Sequence, residues 1–453
     1  MERVHLLTLG CPKNQADSEL MLGVLAGAGF KLTTDPETAD VLVVNTCAFI
    51  EAAKKESLAA VMQAAELKGR AAGRRLVVSG CLAQRYGAEL RAELPEVDIF
   101  VGTGNFLELP ELLKRTETFQ NRPIPYAGAA HLLPRAELLR IRTGDFFSAY
   151  LKISEGCNHK CAFCIIPKIR GPHESRPLAD VVAEARTLVA TGARELNLIA
   201  QDLTAYGRDL APRASLAQLL GQLNAIDGLR WIRLLYCYPN FVSDELLEAV
   251  ASLPKVVKYI DMPLQHADDG ILRAMRRERS GDGLRRLLER VRRRVPGIAL
   301  RSSFIVGFPG ETQAAFEALI EFVRAEQFDR VGVFTYSQEE DTEAGALPDQ
   351  TPARVKRERR RQLMELQSEI SAARNRAQIG REIEVLVEGV IASGGSSPGG
   401  RATRLRGRSA SQAPEIDGMV VLRGDAVAGE FVRARISAAR TYDLVGEITA
   451  AIA

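Results

Sequence analysis

AYLKISEGCNHKCAFCIIP, residues 149–167, sets three cysteines into eight positions directly behind an apolar run of strand character. Cys157, Cys161 and Cys164 are spaced C-x3-C-x2-C, and no fourth cysteine follows nearby. A structural zinc site closes four ligands, typically as two C-x2-C pairs, so this set is one short. Three thiolates on a four-iron cluster leave one iron without a protein ligand, and an open iron can bind a small molecule. His159 and His173 are the nearby side chains that would complete a zinc site instead.

Downstream of this loop the chain keeps a strand–helix rhythm. ELNLIAQD, WIRLLYCYP, KVVKYIDMPLQH, IALRSSFIVGFPG and DRVGVFTYS read as strands, and VSDELLEAVASL and ETQAAFEALIEFVRAEQ as helices between them. With AYLKIS they make six βα repeats over residues 149–337, which predicts a partial (β/α)6 barrel, three-quarters of the eight-fold form.

Upstream, RVHLLTLGC, ADVLVVNTC, RRLVVSGC and VDIFVGTGN alternate with helical patterns and predict an open parallel α/β sheet. Cys11, Cys47 and Cys81 each close one of these strands, 36 and 34 residues apart, about one βαβ repeat. The carboxyl ends of parallel strands share one edge, where such sheets place their sites. One cysteine at a strand end is often a small core residue. Three at equivalent ends, in GCPKN, NTC and SGC contexts, predict a second incomplete cluster site. Cys237, in LLYCYPN, belongs to no such pattern and reads as a core residue.

The expected domains are residues 1–120, an α/β domain with the first cysteine set; 121–145, a proline-dotted linker; 146–375, the partial barrel; and 378–453, a small antiparallel β-barrel of OB type. Between the last two lies TPARVKRERRRQLMELQSEISAARNRAQ, a helix whose charge run reads as a solvated face. The architecture is therefore α/β and multidomain.

At 453 residues, 46% apolar and 26% charged, the composition is that of a globular protein with more than one core. There is no run of eighteen apolar residues and no signal-peptide pattern, so a cytoplasmic protein is expected. Seven cysteines without a signal peptide point to metal or catalytic chemistry in a reducing compartment. The net charge of +3 excludes a strongly basic nucleic-acid binder.

The loop GCNHKCAFC resembles the signature of the radical S-adenosylmethionine (SAM) superfamily, and it follows the first strand of a βα series, where that superfamily places it. The resemblance implies that the open iron chelates the methionine moiety of SAM, which one electron cleaves to methionine and a 5′-deoxyadenosyl radical; Phe163 supplies the aromatic beside the third cysteine. Along the whole chain, the three-cysteine domain, the barrel and the terminal β-barrel resemble the methylthiotransferase family. That implies two [4Fe–4S] clusters, on Cys11/Cys47/Cys81 and Cys157/Cys161/Cys164, and a C-terminal TRAM domain. It also implies two SAM molecules, one methylating sulfur at the first cluster and one generating the radical that abstracts hydrogen from the substrate. A reductant such as flavodoxin or ferredoxin would supply electrons, and a monomer suffices.

LGCPKNQADSE, NTCAFIEAAKKES, GCNHKCAFCIIPKIRG and SQAPEIDG are similar to the branch that modifies the β-carbon of an aspartate in small-subunit ribosomal protein S-twelve. The other branch modifies isopentenyl-adenosine in tRNA and more often shows GCQMN at its first cysteine. The terminal segment carries nine Arg and no Lys against nine Asp plus Glu, too balanced for a tRNA grip and suited to a protein partner. Arg401, Arg404, Arg406 and Arg408 are the counterweight: they could touch phosphate or line a solvated strand edge.

Gln201, Gln265 and Arg301 lie on or near expected barrel strands and are candidate SAM or substrate contacts; local satisfaction inside the barrel is an equal reading. His266 is not expected to bind metal. GTG at 102–104 is too short for a phosphate loop, and FPGE at 308–311 is read as capping the next helix. Two other classes remain. An iron–sulfur electron-transfer or scaffold protein predicts fully ligated clusters, and a zinc-bearing RNA-binding module predicts bound zinc.

Overall fold

The computed structural model describes residues 1–114, 138–391 and 404–452. Its first unit is a five-stranded parallel sheet, ordered β2-β1-β3-β4-β5, built from β1 (Arg3–Thr8), β2 (Lys31–Leu32), β3 (Val41–Thr46), β4 (Arg75–Gly80) and β5 (Ile99–Val101). Helices α1 (Pro12–Gly27), α2 (Glu51–Gly69), α3 (Cys81–Glu93) and α4 (Leu109–Lys114) cover its faces. Every residue of β3, VLVVNT, is buried, as a parallel strand covered on both faces requires. The short edge strand β2 had no counterpart in the sequence reading.

The second unit starts at β6 (Ser148–Lys152), whose chain turns through the short β7 (Ser154–Glu155) into the cysteine loop. A five-residue helix, α5 (Ile166–Arg170), follows, and β8 (Glu174–Ser175) pairs back antiparallel to β7. The remaining barrel strands are β9 (Glu195–Ile199), β10 (Trp231–Leu234), β11 (Val256–Asp261), β12 (Ala299–Val306) and β13 (Arg330–Thr335). They form an open, all-parallel six-stranded sheet, β13-β12-β11-β10-β9-β6, the partial barrel that the repeats foretell. Its helices pack Leu, Val and Phe onto the outer face in the largest core of the molecule. Cys237 is fully buried there, as expected of a core residue.

The third unit is a closed five-stranded barrel of β14 (Glu382–Val390), β15 (Arg404–Ser409), β16 (Val420–Arg423), β17 (Phe431–Ala439) and β18 (Leu444–Ile452). It departs from the antiparallel expectation at one pair: β16 and β18 run parallel and close the barrel. The helix Ala353–Arg376 leads into it.

This third unit plugs the partial barrel rather than hanging from it. Glu195 on β9 lies between Arg233 on β10 (3.0 Å) and Arg408 on β15 (2.6 Å), all buried. Tyr259 donates to Asp417 (2.8 Å), and Glu384 accepts from Trp231 Nε1 (3.0 Å) and Arg230 (2.9 Å). Arg408 is therefore sealed at 2% exposure, committed to Glu195 and Glu388, and open to no phosphate. Arg404 and Arg406 are exposed, and Arg401 lies outside the described residues.

The expected linker 121–145 falls outside the described residues up to 137. From Leu138 onward it is tied down: Glu19 on α1 receives Arg140 (2.7 Å), the Thr143 amide (3.0 Å) and the Thr143 hydroxyl (3.2 Å). FPGE does not cap the following helix, as the sequence reading had it. Thr312 does, accepting from the Ala315 amide (3.1 Å), while Glu311 turns back to the amides of Gly307 and Phe308.

Candidate metal centres and the ion network beside them

Three of the β→α turns of the first sheet carry a cysteine: Cys11 stands at the N-cap position of α1, Cys47 follows β3, and Cys81 opens α3. Gly10 and Gly80 let these turns approach. Both have positive φ, and a Cβ on Gly10 would stand 2.8 Å from the Cβ of Cys47. A Cβ on Gly80 would meet Asn45 Oδ1 at 2.3 Å and the Thr46 carbonyl at 2.7 Å. Asn14 staples two of the turns, donating to the Leu9 and Thr46 carbonyls at 2.9 Å each. Ser57 fixes Cys47 from α2, accepting from its amide (2.9 Å) and donating to its carbonyl (2.8 Å).

The second set lies on the loop between β7 and α5. The Cys157 amide donates to the Gly171 carbonyl (3.1 Å), and the Ala162 amide to the Met275 carbonyl (3.1 Å). Phe163 packs with Ile271, Met275, Phe308 and Tyr336. Arg277 points at Cys161 Sγ (3.7 Å) and lies over the Tyr238 ring.

Both sets fit an iron–sulfur group by the chemistry of their donors. All six thiols are free. Burial and the neighbouring Cys81 push the Cys47 thiol up to about 12, burial is the largest cause raising Cys157 to about 11, and burial with Cys161 raises Cys164 to about 12. Thiols crowded and desolvated in this way ionise when a cation joins them. Among the described residues no three such side chains are arranged to hold a single metal ion. Thiolates on a four-iron cluster bind separate irons and stand further apart. The histidines that a zinc site would need are engaged elsewhere. His159 pairs with Asp202 (2.8 Å) and stacks on Tyr238, and His173 bonds Ser175 (3.1 Å).

A buried ion network runs from the first set to the segment that leads into the second, and sequence reasoning missed it. Arg170, the last residue of α5, donates to Asn14 (2.6 Å) and Cys81 Sγ (3.4 Å) with one nitrogen. With the other it reaches Asp17 (2.7 Å) and Glu155 (3.3 Å). Lys152 pairs with the same two carboxylates. Glu155 precedes the Gly156–Cys157 turn, so the network runs from Cys81 to a carboxylate two residues ahead of Cys157. Ile165 and Ile169 back it, packing on Ala48 and Leu82. The only signal in the sequence was charge inside strand-like or loop segments, Lys152 and Glu155 in AYLKISEG above all.

Of the other candidates, Gln201 donates to Glu155 and leaves its buried Oε1 without a partner. Gln265 takes φ +73 at the end of β11's extension, bridging to β12 through the Ser303 carbonyl (2.9 Å). Arg301 is held by Asp261 (2.8 Å) and faces Asp417 (3.7 Å). His266 is fully buried, its Nδ1 accepting from the Asp268 amide (3.0 Å). The GTG segment is anchored by Gln84, which accepts from the Thr103 amide (3.0 Å).

The Radical SAM superfamily model matches residues 151–323, the TRAM domain model residues 379–449, and the model of Uncharacterized protein family UPF0004 residues 3–102. A solved methyltransferase, TsrM from Kitasatospora setae, shares the fold with a TM-score of 0.56 at 16% identity, over 76% of this chain and 77% of that one. The partial barrel and its cysteine loop thus define a radical SAM enzyme, with SAM and a [4Fe–4S] cluster as its cofactors. Over 99% of its length the chain is 51% identical to the ribosomal protein uS12 methylthiotransferase RimO of Anaeromyxobacter sp. (strain Fw109-5), covering 93% of that protein. It is 49% identical to the one of Geobacter sulfurreducens, covering 98%. The chain belongs to the ribosomal protein uS12 methylthiotransferase family, and it is a transferase.

Proposed function

We propose that this chain transfers a methylthio group to the β-carbon of an aspartate in ribosomal protein uS12, the S-twelve of the small subunit. The observation that carries the reading is two incomplete thiol sets in one chain, with a buried network from Cys81 of the first to Glu155, ahead of the second. A radical enzyme acting alone needs one open cluster, whereas sulfur transfer needs a second place to hold sulfur.

In this reading Cys157, Cys161 and Cys164 hold one [4Fe–4S] cluster, and Cys11, Cys47 and Cys81 hold the other. When bound, the pair supplies an electron for cleaving one SAM and a seat for sulfur methylated from a second. The protein's own part is to hold and shield. Asn14, Ser57 and the two glycine turns fix the first thiol set, and Arg170 ties it to Glu155 ahead of the second. The free Oε1 of Gln201 offers an acceptor to the SAM ammonium, with Phe163, Gln265 and Arg301 forming the rest of the proposed SAM wall. The C-terminal plug keeps water from the floor of the barrel, where Arg233 and Tyr259 would otherwise be wet.

The proposed division is a cluster domain over 1–120, a radical domain over 146–375 and a TRAM domain over 378–453, working as a cytoplasmic monomer. A small redox protein such as flavodoxin or ferredoxin supplies electrons. Among the described residues no helix is long and apolar enough to cross a membrane. The burial of Arg408 favours a protein substrate over tRNA. The test is the intact mass of uS12 from cells with and without the gene. Loss of an increment of one SCH2 unit is expected. An unchanged mass sinks the reading and turns attention to methylthiolated adenosine in tRNA digests.

A further inference from the structure

Lys13 stands on the first turn of α1, two residues past Cys11, at 9% exposure. Its amino group lies 3.3 Å from the centroid of the Tyr236 ring; burial works against its charge, and Cys11, Glu155 and Asp261 favour it through space without a hydrogen bond. The neighbouring cations are committed: Arg170 and Lys152 to Asp17 and Glu155, and Arg301 to Asp261. A desolvated ammonium resting on an aromatic face is completed by an anion.

The ring beneath it is held deliberately. Tyr236 takes φ +65, a conformation that a bulky residue adopts only under constraint and that gathers at functional sites. Tyr236 and Tyr238 leave β10 together. Tyr236 carries Lys13, two residues past Cys11, and Tyr238 carries Arg277, which points at Cys161 Sγ (3.7 Å), so both thiol loops reach the end of β10.

We propose that Lys13 receives the carboxylate of the residue to be modified and so selects aspartate, with Tyr236 seating its ammonium. This rests on the reading that the substrate is an aspartate of uS12. The alternative role is a counter-charge to the first cluster, which would act on every substrate alike.

The experiment uses two peptides spanning the target loop of uS12, one with the aspartate and one with asparagine in its place. Their dissociation constants are measured by fluorescence anisotropy on the iron-loaded full chain and on K13M, K13R and Y236L, with iron content as the control. The full chain is expected to prefer the aspartate peptide by about tenfold to a hundredfold, the range of a hydrogen bond to a charged group. K13M should lose that preference at unchanged iron content, and K13R should keep part of it. A preference that survives K13M intact makes Lys13 a counter-charge and overturns the proposal. Should K13M fail to load iron, Y236L carries the test: a reduced preference supports the proposal, and an unchanged one overturns it. If the full chain binds neither peptide, the uS12 reading fails and the proposal falls with it.

Discussion

Arg170 contributes to the site with one planar group in two directions. One nitrogen grips Asn14 and Cys81, while the other grips Asp17 and Glu155. Burial works against its charge, but Cys81, Glu155 and Asp17 outweigh burial and hold it protonated. Arg170→Met would leave two buried carboxylates short of a partner, at a cost of about 3–5 kcal/mol in urea unfolding of the apo-protein. Arg170→Lys would keep the charge but lose the fork, so it should recover only part of that stability. Cys81→Ala is expected to remove the iron of the first site and leave that of the second, read by iron analysis and electron paramagnetic resonance. A complete loss of iron would show that the two sites load as one. At this scale the two cysteine sets stood out in the sequence, one by its spacing within a loop and the other by its repetition at strand ends. Arg170 and Lys13 were not, because their partners are distant in sequence or lie on another unit of the chain. A buried salt bridge has no local pattern.

The elements that hold the thiols are β→α turns, and their glycines set the spacing. Gly80 takes φ +91 and ψ −152 with the Asn45 side chain against its missing Cβ. Gly80→Ala should cost about 1–3 kcal/mol in backbone strain and push the turn away from Cys47. Reduced iron content at the first site, with helix content unchanged by circular dichroism, is the expected result. Full iron loading would show that the turn tolerates a side chain. Most elements were readable. The parallel strands announced themselves as Val/Leu/Ile runs at βαβ spacing, and the six barrel strands followed the same rhythm. Two features were not. The parallel β16–β18 pair depends on how a barrel closes, which no strand carries in its own residues. FPGE was read as the cap of the next helix, whereas Thr312, a favoured cap residue one position further on, holds that place.

At the scale of the molecule, the Glu195–Arg233–Arg408 triad locks the C-terminal barrel to the radical domain. Burial opposes ionisation of Glu195, yet Arg408 and Arg233 outweigh it and hold the carboxyl down at about 2 against an ordinary 4.5. A depressed carboxyl stabilises the fold above its unfolded value and loses that contribution as pH falls through its folded one. The stability gap between the native chain and Glu195→Gln should therefore be full above pH 4.5 and narrow toward pH 2, measured by denaturant midpoints. A gap that does not change over that range would place the stabilisation elsewhere. The sequence predicted three units in the right order. It did not reveal that the third closes the floor of the second, since charge balance counts residues without saying which are buried.

The plug also bears on how such chains can be recombined. A terminal β-barrel tied to its neighbour by Glu195–Arg408, Tyr259–Asp417 and Trp231–Glu384 is not an interchangeable cassette. A chimera that borrows a foreign C-terminal barrel with no arginine at the place of Arg408 leaves the buried Glu195 with Arg233 as its one remaining cation among the described residues. Exchange of substrate preference between relatives must therefore move both halves of that seam together, or leave the seam alone and redraw only the surface beyond it.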